Sequence, residues 1–371
     1  MSDQTRADWQ KPKIFVSKRP GDERYQPGTK ANPCASIQTA VDNAPPGSVI
    51  NVEQGIYKER IQIGKSNLVV QTDAENPAVI EPGGKTAGRG TAGFSVGSNI
   101  YDVAIKNFEV RKFSGLEAGI KVEGKNISNI IIAGNNLHGA QSTEAIRIYG
   151  RGASESETVK DVQILSNKVH DLKLGQLEAI PINGNVKDFK IVGNAGYRLD
   201  NIFIDVIGGE GKSPNPALDK ARGVVEFNYA SEISTKTNSA YNYSRSAPGI
   251  YIDGGSDVQI RYNYITAADF GFSVGSEHRG INATKINTYG NIVENAHLDW
   301  MTRGGEIRRP GGASHSTAFD NILIGNGRLE TQQNVDLKTF PVANNPVYSS
   351  LDKLAKMPKP IVDALKQYNR N

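Results

Sequence analysis

The 371-residue chain has a single cysteine, Cys34, so no intrachain disulfide can form and a small disulfide-stapled scaffold is excluded. It has no run of about 18 apolar residues, so nothing reads as a membrane-spanning helix. Its five histidines are scattered without zinc spacing. PGGKT at 82–86 lacks the leading glycine of a phosphate loop, because Val79 stands where that glycine would have to be. No Gly-x-Ser-x-Gly elbow occurs. The net charge is only +4, and no lysine or arginine run resembles a nucleic-acid arm. The opening MSDQTRADWQKPK has no apolar leader segment. It suits a cytoplasmic protein, and equally an exported one whose leader has been removed.

What is abundant is repetition. The unit is an alternating run, an asparagine, then a second alternating run ending in glycine: DVQILSNKVHDL with AIPINGN, FKIVGNAGY with IFIDVIGG, GVVEFNYAS with GIYIDGG, DVQIRYNYITA with GFSVGSE. Ile182 to Ile204 and Ile252 to Val274 are each 22 residues apart, and longer intervals fit insertions at fixed loops. Short strands at this spacing, with no helical pattern between them, predict a parallel β-helix rather than a barrel or Rossmann fold. Asn135, Asn167, Asn194, Asn228, Asn263, Asn291 and Asn321 fall at one place in successive units. Asparagine tolerates left-handed turns, and its amide can bond to copies above and below, so these residues predict a stacked ladder.

The ends are predicted to be helical. Ile37, Ala40, Val41 and Ala44 share one face before Pro45-Pro46-Gly47, a helix placed to cap the open solenoid. Ile361, Ala364, Leu365 and Tyr368 repeat that spacing in a tail expected to pack on the solenoid. The expected division is an extension with a first strand at 1–34, the β-helix at 35–345 and the tail at 346–371.

SIQTAVDNAPPGSVINVEQGIYKERIQI, the asparagine ladder and GIYIDGGSDVQIRYN together resemble the right-handed parallel β-helix proteins of the pectate-lyase-like superfamily, over roughly 35–340. The resemblance implies a carbohydrate-active protein, secreted or periplasmic, whose partner is a polysaccharide. It carries over no catalytic residue. The Asn-Thr-Asp, Asp-Asp, His-Gly and Arg-Ile-Lys set of polygalacturonases is absent. So are the Asp-Asp-Gly-x-Asp calcium segment of one pectate lyase family and the Asp-Pro-His-Glu motif of alginate epimerases.

Candidate site residues come from aligning the second runs. That alignment predicts inward columns of Ile180, Ile202, Ile250 and Phe272 and of Ile182, Ile204, Ile252 and Val274. Pro181, Phe203, Tyr251 and Ser273 would point outward, followed by an outward column of Tyr149, Asn183, Asp205, Asp253 and Gly275. Asp205 and Asp253 would then stack on neighbouring coils, with Asn183 one coil below and Glu210 and Glu277 in adjoining loops. Stacked carboxylates need a cation, a shared proton or an arginine. One reading is a Ca²⁺ site of Asp205, Glu210 and Asp253; another is a glycosidase acid pair; a third is turn residues capping backbone N–H groups. His278 and Arg308 are candidate bases, with Arg279 and Arg309 beside them as substrate contacts; Asn183, Phe203 and Tyr251 complete the expected binding face. The favoured expectation is β-elimination of a uronate polysaccharide, possibly calcium-assisted. Hydrolysis by Asp205 and Asp253, or a non-catalytic binding solenoid, are the alternatives.

Overall fold

Alternating apolar residues give every short strand one face to bury. A chain without helices between its strands can bury that face only by stacking coil on coil. The computed structural model describes residues 11–19, 21–83, 91–305 and 311–350; the expected helix at 361–368, together with Arg308 and Arg309, lies outside them. The described strands form three sheets, of thirteen, ten and eleven strands, in which each strand pairs in parallel with its counterpart one coil away. One coil runs Val159–Leu165 in the thirteen-stranded sheet, Lys168–Lys173 in the eleven-stranded sheet and Ile180–Gly184 in the ten-stranded sheet. The inward side chains make one continuous cluster from Val16 to Phe340.

The asparagine ladder is present at the corner between the thirteen- and eleven-stranded sheets. From Asn135 to Asn321 each asparagine donates both its backbone N–H and its Nδ2 to the Oδ1 of the next, at 2.8–3.2 Å, and Asn345 continues the stack. Nδ2 also donates to a carbonyl of the preceding coil, as Asn167 does to Ile132 at 2.9 Å. The position before each ladder asparagine turns through the left-handed region, at Gly134, Ser166, Gly193, Phe227, Tyr262, Gly290 and Asp320.

At the start of the chain, Ile37–Asn43 is a short helix. Ser36 caps it by accepting from Thr39 N–H, and Ile37, Ala40 and Val41 are buried against the strands Lys13–Val16, Val49–Val52 and Ile61–Ile63. The strand Lys13–Val16 pairs with Val49–Val52, so the solenoid sheet begins before residue 35.

Two long insertions flank neighbouring strands of the ten-stranded sheet: 208–221 follows Ile204–Ile207, and 234–247 precedes Pro248–Asp253. Each is folded around a buried aspartate. Asp219 accepts from the backbone N–H of Gly211 at 2.6 Å and of Ser213 at 2.8 Å. Asp269 accepts from Ser234 Oγ, from the N–H groups of Thr235 and Ser246, and from Arg245 Nη1. A loop tied to a buried carboxylate holds its shape, and these two form walls beside the outer face of the ten-stranded sheet.

Candidate active site

Strand pairing fixes which side chains share that outer face. Asp205 lies opposite Pro181 on one side and Tyr251 on the other, and Tyr251 lies opposite Ser273. Tyr149 lies opposite Asn183, and Asn183 opposite Ile207. Asp253 pairs with Gly275 and so stands two residues beyond Tyr251, the register partner of Asp205. Asp205 and Asp253 are thus diagonal neighbours on adjacent coils rather than members of one column. The inward columns shift in the same way: Ile204, not Ile202, continues the column of Ile180, Ile250 and Phe272.

Around this diagonal pair the fold gathers further carboxylates. Asp205 is 2% exposed, and its Oδ1 has no donor among the described residues. Burial, and then the charges of Glu178 and Asp253, hold its carboxyl well above the usual range. Glu178 precedes the strand Ile180–Gly184; burial, with repulsion from Glu144 and Glu210, pushes it up to about 8. Asp253 Oδ1 accepts from the backbone N–H of Glu277 at 2.7 Å, and its Oδ2 lies 3.1 Å from His278 Nε2. That last contact is an ion-pair distance outside hydrogen-bond alignment. The Asp253 carboxylate raises the His278 imidazole, against the opposing effect of burial.

The neighbouring coils add ordered polar groups. Glu144, wholly buried, accepts from Arg147 Nε at 2.5 Å and from Tyr149 Oη at 3.1 Å. Asn183 donates Nδ2 to Glu210 Oε2 at 2.5 Å, and Lys212 pairs with Glu210 at 3.2 Å. From the 234–247 insertion, Tyr241 reaches the site and accepts from Asn201 Nδ2 at 3.0 Å. Burial pushes its phenol up to about 12. The result is a walled acidic face with a buried carboxyl, Asp205, whose surroundings oppose its ionisation, beside Asp253, which a backbone N–H orients.

No family model matches the chain. It is 30% identical over 352 residues to the uncharacterised protein YwoF of Bacillus subtilis (strain 168), a match covering 91% of this chain and 74% of YwoF. The chain belongs to the YwoF family. Among solved structures it is similar to an alginate lyase from Paenibacillus sp. str. FPU-7, with TM-score 0.55 and 17% identity over 81% of this chain and 95% of that one. It is also similar to the pectate lyase Pel9A, with TM-score 0.58 and 14% identity over 92% and 84%. A third is the GH136 lacto-N-biosidase from Eubacterium ramulus, with TM-score 0.59 and 12% identity over 93% and 69%. At these identities the likeness is one of fold, a parallel β-helix.

In this member of the YwoF family the expected residues are only partly brought together. Asp205, Asp253, Glu210, Glu277, His278, Asn183 and Tyr251 do share the outer face or its bordering loops. Phe203 does not: it is fully buried in the core, where its ring lies over Gly196. Asn183 is next to the site, but Pro181 takes the place opposite Asp205 that the alignment gave to Asn183. Arg279 is exposed. The expected calcium set is not assembled either: among the described residues no three His, Cys, Asp or Glu side chains converge as metal ligands.

The sequence reading missed Glu144, Glu178, Arg147, Lys212 and Tyr241. A signal for two of them was present, since Glu-Ala-Ile recurs at 144–146 and 178–180 at the head of consecutive strands of this sheet. Tyr241 and Lys212 sit in insertions, where the repeat carries no positional information.

Proposed function

We propose that this protein is a glycoside hydrolase that binds a polysaccharide along the outer face of the ten-stranded sheet, with Asp205 as general acid and Asp253 as general base. The supporting observation is the contrast between two neighbouring carboxyls. Asp205 is buried among like charges with an oxygen that no described group hydrogen-bonds, which favours the protonated acid. Asp253 accepts from a backbone N–H and lies beside an imidazole, groups that orient a carboxylate. Environments that separate two carboxyls in this way divide the acid and base roles of glycoside cleavage. Asp205 would give its proton to the departing glycosidic oxygen while Asp253 takes one from the attacking water. Tyr251, outward and between them in register, would stack on the sugar.

The two-residue offset bears on stereochemistry. Strands about 4.8 Å apart and an offset of about 6.6 Å place the two Cα atoms about 8 Å apart. If the carboxyl groups keep a comparable separation, a water fits between them and the product has inverted anomeric configuration.

Elimination from a uronate needs a cation or metal to neutralise the substrate carboxylate. Three basic groups of the site are already engaged: Arg147 with Glu144, Lys212 with Glu210, His278 with Asp253. Polymer substrates of this kind place the protein outside the cytoplasm.

Incubation with a panel of polysaccharides tests the reading. New reducing ends without an unsaturated, ultraviolet-absorbing product are expected, and these reducing ends should vanish in Asp205→Asn and in Asp253→Asn. An unsaturated product would overturn hydrolysis in favour of elimination. Binding without either signal would make the solenoid a carbohydrate-binding module.

A further inference from the structure

Two buried acceptors on adjacent coils of the site lack a donor among the described residues: Asp205 Oδ1 and Asn183 Oδ1. Both residues are almost fully enclosed, Asp205 at 2% exposure and Asn183 at 0%. The orientation of the Asn183 amide is fixed by its other end. Nδ2 donates to Glu210 Oε2 at 2.5 Å, and a carboxylate there could not accept from an oxygen, so the free atom is the carbonyl. A buried acceptor with no donor destabilises the fold, and two at one site call for a ligand that brings donors.

The charge balance says what kind of donor. Among the described residues, Glu144, Glu178, Asp205, Glu210 and Asp253 face this region, and Arg147, Lys212 and His278 are each already paired with one of these five. A uronate would add a further like charge. A metal ion needs a convergent donor set that the described residues do not form. A primary ammonium needs only acceptors in hydrogen-bond reach and carries three donors of its own.

We propose, building on the hydrolase reading above, that the sugar seated against Asp205 and Asn183 carries a free, protonated amine, and that the substrate is a polymer containing de-N-acetylated hexosamine. The amine would donate to Asn183 Oδ1 and to the Asp205 side of the cluster, satisfying both buried acceptors. An N-acetylated sugar offers one uncharged N–H in place of three charged ones and adds an acetyl group to a walled site. Neutral hexoses would bind through hydroxyl donors alone, and uronates least of all.

The test separates binding from cleavage. Calorimetry with a glucosamine or galactosamine oligosaccharide should show binding at least about tenfold tighter than the same oligosaccharide after chemical N-acetylation. The preference should shrink as pH is raised enough to neutralise the amine, and Asn183→Leu should reduce it. Equal binding of both forms, tighter binding of the acetylated form, or preference for an oligouronate would overturn the proposal. So would calcium chloride alone binding to the wild type and being lost in Asn183→Leu, since the orphaned acceptors would then belong to a metal. Preferential binding of the amine form without release of reducing ends would leave this inference standing and sink the hydrolase reading. Cleavage of neutral or acetylated polymers with no amine preference would do the reverse.

Discussion

Two stacks of polar side chains run along this solenoid, and they are built on opposite principles. At the corner between the thirteen- and eleven-stranded sheets, asparagine stacks on asparagine. An amide carries both donor and acceptor, so a column of copies satisfies itself, and each Oδ1 takes two hydrogen bonds from the coil beside it. On the outer face of the ten-stranded sheet, carboxyls gather instead. Carboxylates only accept, so a group of them cannot satisfy itself; it leaves Asp205 Oδ1 without a donor among the described residues and raises the proton affinity of Asp205 and Glu178. The first stack is complete without a ligand and serves the fold. The second is complete only with a proton or a ligand, and such frustration marks a functional site.

The comparison is broken most severely by removing its central acid. Asp205→Asn should lower kcat by about two to four orders of magnitude, as loss of general acid catalysis does, without lowering thermal stability. Asp253→Asn should match it. If either variant keeps full turnover, or if stability falls with activity, the acidic face is structural after all. The converse experiment lies in the ladder. Asn228→Ala removes the acceptor for both Asn194 donors and the Nδ2 donor to Asn263 and the Ile191 carbonyl, while its backbone N–H to Asn263 is kept. Leaving these groups buried and unpaired should cost about 2–4 kcal/mol by denaturant unfolding, with kcat unchanged at a permissive temperature. An equal loss of kcat would couple the two stacks and erase the distinction.

The ladder could be read from the sequence because asparagine recurs at a fixed place and few residues can replace it in a buried left-handed corner. The acidic face could be read only in outline. The alignment that stacked Asp205 on Asp253 was off by two residues, and the reason is physical. Strand side chains alternate with period two, so a shift of two keeps every apolar residue inside and leaves no trace in the pattern. Matching the Asp-containing ends of IFID and GIYID looked right, while the register instead sets Ile204 on Ile250. Phe203 went wrong for a related reason: the paired strand begins at Ile204, so period-two reasoning did not extend back to it. Glu178, Lys212 and Tyr241 come from strand edges and insertions, whose direction depends on loops such as the Asp269-centred 234–247 rather than on any repeat.

Proton uptake offers a gentler probe of the same contrast. Folding raises Glu178 from an ordinary 4.5 to about 8, raises Asp205, and raises His278 through Asp253. A group with a raised folded pKa gives its full stabilisation below its unfolded value and loses it as pH climbs through the folded one. The Tm should therefore fall by about a few degrees between pH 4.5 and 8. Glu178→Gln should flatten that slope, while a ladder variant should shift the whole curve down in parallel. A slope that survives in Glu178→Gln and Asp205→Asn together would place the titrating groups elsewhere.

The smallest effect concerns a third stack, at the start of the thirteen-stranded sheet, where Asp102, Asn129, Asp161, Asp188 and Asp257 adopt left-handed backbone. Lys285 pairs in register beside Asp257 at φ 58°, a conformation that a long side chain adopts at a cost and an asparagine tolerates. Its Nζ lies 3.6 Å from Asp257, but both side chains are well exposed and such a pair contributes little. Lys285→Asn should thus raise stability, by less than about 1 kcal/mol, and leave turnover untouched. Asparagine there would also face Asp257 with an amide donor, as Asn129 faces Asp102 through its Nδ2. If the substitution destabilises, the lysine's contact with Asp257 outweighs backbone strain, and stacks on this surface are governed by charge rather than by turn geometry.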